Sequence, residues 1–230
     1  MKRFFTIIFI LLYTLPVHSI SSYSASYDLF TQTDLGYIKF GSAKYKLQLG
    51  NNVYVFSSNA TTDLLWRAIH DYSVNETSIG LLENSQLIGN YYKITETKGN
   101  SISDNYEIHI YPNERYVSLN NEIIWEINSS NIVDALSVYL NISEDIQKDP
   151  NKKVFSYQIV DKKGVHQREF VIEGFETIII DNKEFETIRI ACPKLSLIFN
   201  VSKNHNFMPV SINKTNGKNN YRFTLKDYNQ

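Results

Sequence analysis

Apolar and polar residues alternate along most of this chain with a period of two, the spacing of a strand that buries one face. The fullest case is Arg115 to Asn128, where Val117, Leu119, Ile123, Trp125 and Ile127 share one parity and Ser118, Asn120, Glu122 and Glu126 the other. One buried and one wet face is what an antiparallel sheet requires. Near the start, Ile38 and Phe40 lie on one parity and Ala43, Tyr45, Leu47 and Leu49 on the other. The switch at Gly41 predicts a bulge. Gly50-Asn51-Asn52, Asp161 to Gly164, Asp181-Asn182 and Asn216-Gly217 read as hairpin turns, and Gly80, Gly99-Asn100 and Pro112-Asn113 as further strand boundaries.

One stretch breaks the rule. In Asn131 to Ile142, residues Ile132, Ala135, Leu136, Tyr139 and Leu140 recur at offsets of three and four, which puts them on one face of a helix. Asn131 is the expected cap, with Asp134 three residues on. Polar residues 141 to 147 extend the helix as solvated turns, and Asp149-Pro150 stops it. A shorter helix is expected over 61 to 69, capped by Thr61 or Thr62, with Leu65, Trp66 and Ile69 sharing a face.

About a dozen antiparallel strands with one main helix predict a mainly β fold, because a sheet of that size curls as its strands twist. The expected architecture is a curved antiparallel sheet forming a barrel or half-barrel, with a central helix over 131–147 covering its mouth or concave face and the short one over 61–69.

Composition narrows the function classes. The chain has 230 residues and a formal charge of −1, so the basic excess of a nucleic-acid binder is missing. Lys2-Arg3, the apolar run Phe4 to Leu15, Pro16 and a small-residue region read as a cleavable signal peptide over residues 1–22, leaving a single β-rich domain over 23–230. The apolar run is too short for a transmembrane anchor, so the mature protein is expected in the periplasm. Cys192 is the single cysteine, read as a buried thiol beside Pro193.

No nucleophile elbow, phosphate loop, dinucleotide fingerprint or zinc motif occurs, and His70, His109, His166 and His205 are far apart in sequence. No cofactor, metal or catalytic residue is assigned. Asp134 and Ser137 are the sharpest pair, a carboxylate and a hydroxyl at i and i+3; without a histidine to take the proton, capping and packing is the simpler account. Leu136, Tyr139 and Leu140 on the helix, with Trp125 and Trp66 on the wall, are candidate contacts for an apolar ligand.

The order of parts also resembles a family. An early Tyr-rich strand with a glycine (Tyr27 to Gly41), the central Asp134-Ala-Leu-Ser137 and Pro209-Val210-Ser211-Ile212 before a last strand are similar to exported bacterial proteins of the family called domain of unknown function 3108. The segment Leu87 to Thr97 departs from that pattern by lacking a proline. The resemblance implies a fold and a compartment but no activity. Together these readings describe a non-enzymatic exported protein that binds a hydrophobic or lipid-like molecule. The alternatives are a structural or assembly factor docking an envelope protein, and a hydrolase, which needs Asp134 or Ser137 beside a histidine.

Overall fold

The computed structural model describes residues 20–67, 71–83, 86–129 and 131–230. The expected signal segment lies mostly outside these residues, as does His70. Among the described residues, fifteen strands form one sheet. They are β1 Tyr23–Thr33, β2 Gly36–Gly50, β3 Val53–Thr62, β4 Tyr72–Glu83, β5 Gln86–Lys98, β6 Ser101–Tyr111, β7 Tyr116–Leu119, β8 Ile123–Glu126, β9 Ile132–Asp134, β10 Val154–Asp161, β11 Gly164–Ile180, β12 Lys183–Cys192, β13 Leu197–Ser202, β14 Pro209–Asn216 and β15 Asn219–Asn229. Two helices, α1 Leu64–Arg67 and α2 Val138–Lys148, complete the fold with one 3-10 turn, Pro193–Leu195.

The sheet runs β8-β7-β6-β5-β4-β3-β2-β1-β15-β14-β13-β12-β11-β10-β9. Every neighbour is antiparallel except β9, which pairs in parallel with β10. The first and last strands of the chain's long order, β1 and β15, are hydrogen-bonded in its middle, and the sheet ends on the short strands β8 and β9. The expected curved, barrel-like sheet is what forms. Its curvature brings distant strands together: Lys162, in the β10–β11 turn, pairs with Asp104 on β6.

The turn chemistry follows the residues. Asn51-Asn52 and Asp181-Asn182 all take positive φ, between 49° and 62°, as a two-residue type I′ hairpin asks and as Asn and Asp tolerate. Gly41 does sit at a bulge: the β1–β2 register shifts between Leu29 and Phe30, opposite it. Near the C-terminus the loop is Gly217-Lys218 rather than Asn216-Gly217, because Asn216 still pairs with Asn219 and only Gly217 takes positive φ.

Four boundaries differ from the sequence expectation. Arg115 to Asn128 is two strands, since Asn120 and Asn121 adopt φ of 52° and 59° and Glu122 N–H donates to Leu119 C=O; an Asn-Asn pair inside an alternating run is a turn. Gly80 does not end β4, and Val165 to Glu173 and Phe175 to Ile180, which read in the sequence as two strands parted by Gly174, are a single long strand with a bulge between Ile172 and Gly174. The short helix is confined to Leu64–Arg67, because Thr61 and Thr62 belong to β3; Ile69 lies outside the described residues.

The central helix starts later than its spacing suggests. Ile132 and Val133, both β-branched, are strand residues paired with Gln158 and Ile159. Helix α2 begins at Val138 with Ser137 as its cap residue. Its two faces serve two hydrophobic clusters. Leu140, with Leu136 just before the helix, belongs to a cluster drawn mostly from β1 to β7 and closed by Val160, Ile180, Phe185, Val210 and Leu225. Val138, Ile142 and Ile146 pack with β10 to β14.

The polar half of α2, expected to be solvated, is instead tied to the surrounding strands. Ser143 Oγ donates to the Phe207 carbonyl at 2.7 Å, Glu144 accepts the Leu87 N–H, and Tyr157 OH donates to Asp145 at 2.7 Å. The helix therefore fills the concave side of the sheet rather than roofing its mouth.

Candidate functional site

The most concentrated polar chemistry inside the protein lies where β9 runs into α2. Asp134 ends β9 with 0% exposure. Its Oδ1 accepts the N–H groups of Leu136 at 2.8 Å and Ser137 at 2.7 Å. Its Oδ2 accepts the hydroxyls of Ser137 at 2.8 Å and of Ser78, on β4, at 2.6 Å. The Asp134 N–H in turn donates to Ser137 Oγ at 3.2 Å. This is a local side-chain-to-backbone turn of the kind Asp favours, and it competes with helix. It explains why a sequence with helical spacing from Asn131 does not begin its helix there.

The clasp reaches into the sheet through Tyr54 on β3, whose hydroxyl is 3.3 Å from Ser78 Oγ. Room for that ring comes from two glycines. A Cβ on Gly80 would stand 2.5 Å from Tyr54 Cε1 and 2.0 Å from the Ile88 carbonyl oxygen; one on Gly89 would stand 3.4 Å from Tyr54 OH and 3.8 Å from Asp134 Oδ2. Gly80 and Gly89 face each other across β4 and β5, at the register shift. Sequence reasoning took Gly80 for a strand boundary and passed over Gly89, and paired glycines inside two adjacent alternating strands are the signal that a side chain must cross there.

A second, half-buried carboxyl, that of Glu76, stands nearby. Tyr92 OH donates to Glu76 at 2.7 Å. Burial pushes the carboxyls of both Asp134 and Glu76 above the usual range, against the hydrogen bonds that lower them, and Asp134 raises Glu76 further. Burial also pushes Tyr54 and Tyr92 up, so both phenols stay protonated donors.

The Asp134 and Ser137 side chains bond to each other, to Ser78 and to local backbone, with Tyr54 beside Ser137. Of the described histidines, His109 lies by Glu107, His166 by Asp161 and His205 Nδ1 by Ser202 Oγ. Among the described residues no histidine is bonded to Asp134 or Ser137, and His70 lies outside them.

The candidate ligand contacts are placed separately. Leu136 and Leu140 are core residues. Tyr139 packs edge-on against Phe199, with ring centroids 5.3 Å apart. Trp125 lies against Gly164, which takes a φ of 129°. Trp66 Nε1 donates to the Lys39 carbonyl at 2.9 Å, and Leu65, expected on the same buried face, is 88% exposed. Pro209 opens β14 and its carbonyl accepts Tyr27 OH at 2.6 Å. The family-type residues Asp134, Ser137 and Pro209 are therefore joints between elements.

Cys192 is fully buried among the residues that receive α2, and burial raises its thiol. We expect it to react with a thiol-specific reagent orders of magnitude more slowly in the native protein than in urea. A native rate matching the unfolded one would show that this part of the sheet opens readily.

Two open concavities lie elsewhere. The larger, about 600 Å³, crosses β1 to β4 and is lined mostly by Ser, Asn, Thr and Lys residues, with Ala25, Tyr45 and Glu76 among them. The smaller, about 300 Å³, lies around Phe185, His205 and Tyr228. Neither is bordered by Leu136, Tyr139, Leu140, Trp125 or Trp66.

Comparison with known proteins yields a fold. No family model matches the chain, and no curated protein matches it. Among solved structures, the chain is similar to a beta-barrel-like protein of domain of unknown function DUF1849 from Brucella abortus, with 10% identity, a TM-score of 0.61, and coverage of 92% of this chain and 98% of that one. The likeness supports an uncharacterised β-barrel-like architecture and does not single out the domain of unknown function 3108 family.

Proposed function

We propose that this is an exported, non-enzymatic protein of the cell envelope that works by docking another envelope protein along the free edge of its sheet. The observation that carries the reading is strand β8. It is the last strand of the sheet, its ladder partner is β7, and Ile123 and Ile124 are 48% and 64% exposed on it. A free strand edge with apolar side chains on both faces is a template for an extended segment of a partner, which gains main-chain hydrogen bonds and pockets for alternate side chains. The opposite end of the sheet is protected, since β9 is three residues long and buried. Export rests on the expected leader at residues 1–22.

An internal apolar ligand is the weaker reading, because α2 and its two clusters already occupy the concave side. A lipid there would have to displace a helix anchored through Ser143, Glu144 and Asp145.

The test is a photo-cross-linking side chain at Ile124 in the exported protein, with Leu35 as an exposed control position. The expected result is one discrete protein adduct from Ile124, lost in an Ile123→Lys variant. No adduct at Ile124, together with stoichiometric copurifying lipid, would replace this reading with the apolar-ligand one.

A further inference from the structure

The larger concavity carries an inference independent of the β8 edge. Strand register places Ser26, Lys44, Asn59 and Asn75 in one row across β1 to β4, and Ser24, Lys46, Ser57 and Thr77 in the next. Side chains alternate across a strand, and the residues between these rows, Ala25 and Ser58 among them, are buried on the inner side. The two rows therefore share the outer face and form the floor of the trough of about 600 Å³.

The floor is low because its residues are short. Lys44 and Lys46 rise from one strand at positions two apart, roughly 7 Å by strand geometry. Both are exposed, and among the described residues neither joins an ion pair, whereas Lys39, Lys148 and Lys162 each hold a carboxylate. Asn59 and Asn75 are hydrogen-bonded to each other across the trough, which fixes their amides in place. Glu76 also borders it, with its carboxyl bonded to Tyr92 OH.

Two like charges held side by side without a counter-ion, above a floor of hydroxyl and amide donors, suit a compact oxyanion that accepts several hydrogen bonds at once. Lysine pairs with phosphate as a point charge, without demanding one planar geometry. We propose that this trough is a binding site for a phosphate-bearing polar ligand, with Lys44 and Lys46 neutralising the phosphate and Ser24, Ser57, Asn75 and Thr77 contacting its oxygens. The phosphate belongs either to a soluble phosphorylated small molecule or to a lipid headgroup presented at a membrane surface.

The experiment uses the full mature chain and a Lys44→Gln/Lys46→Gln double variant, which is expected to fold because both side chains are exposed. In one arm glycerol phosphate is titrated while backbone amide resonances are followed; in the other, the protein is sedimented with vesicles of phosphatidylcholine containing one part in five phosphatidylglycerol. The expected result is saturable binding in at least one arm, with shifts confined to β1 to β4, weakened about tenfold in the double variant as two exposed charge contacts would predict, and further by added salt. Binding in the first arm identifies a soluble phosphate; sedimentation without binding in the first identifies a headgroup. No binding in either arm, or equal binding by the double variant, overturns the proposal.

Discussion

Replacing Asp134 with alanine is expected to destabilise the fold by on the order of 4 kcal/mol, among the larger costs a single substitution produces, because it strands several buried donors at once. Two N–H groups and two hydroxyls lose their acceptor in a place that water does not reach. The neutral isostere separates the cause. Asp134→Asn keeps one oxygen for the Leu136 and Ser137 N–H groups, and its NH₂ can donate to the Ser78 and Ser137 hydroxyls once these rotate. Its cost should be less than half that of alanine. Urea unfolding of both variants at constant m-value measures the difference. Equal losses would show that charge, not hydrogen bonding, holds the clasp.

The same residue gives a pH signature. Burial raises the carboxyl pKa of Asp134 and of Glu76 in the folded state. The native state therefore binds more protons than the unfolded chain between the ordinary carboxylate pKa and the raised one. Stability from these groups is complete below the ordinary pKa and falls as pH rises through the raised value. Asp134→Asn and Glu76→Gln should each flatten that decline in a series of thermal melts.

Adding one methyl group at Gly80 should cost at least about 3 kcal/mol, the upper end of overpacking penalties. The new Cβ would meet a main-chain oxygen at 2.0 Å and the Tyr54 ring at 2.5 Å, and the backbone partner cannot rotate away. Its cross-strand counterpart is the control. At Gly89 the nearest atom is a phenolic oxygen at 3.4 Å, an ordinary contact. Gly89→Ala is expected within about 1 kcal/mol of the parent, since the lost unfolded-state freedom of glycine offsets a small packing change. Midpoints from chemical denaturation decide the matter, and a tolerated Gly80→Ala would mean that the β4–β5 bulge can reorganise.

These two sites also show how far the chain could be read unaided. Period-two alternation and the Asn, Asp and Gly turns determined a large curved antiparallel sheet, because the pleat ties side-chain direction to sequence position. The Gly41 bulge was legible for the same reason. Helical spacing located α2 but misplaced its start by about two turns, since spacing counts residues and cannot see a carboxyl turning back on its own backbone. Asn120-Asn121 was hidden inside a run whose parity happened to continue through the turn.

The tertiary structure alone decided what α2 covers. Its polar half is buried through partners at Tyr157 and, far away in the chain, at Leu87 and Phe207. Local pattern predicts which residues prefer water; it cannot announce that distant strands will supply the hydrogen bonds water would have made. The trough of Lys44 and Lys46 has the same origin, because only strand register sets Asn59, Asn75 and Thr77 beside them. The sequence by itself determined the sheet, and long-range pairing determined which of its faces is filled and which is open to solvent.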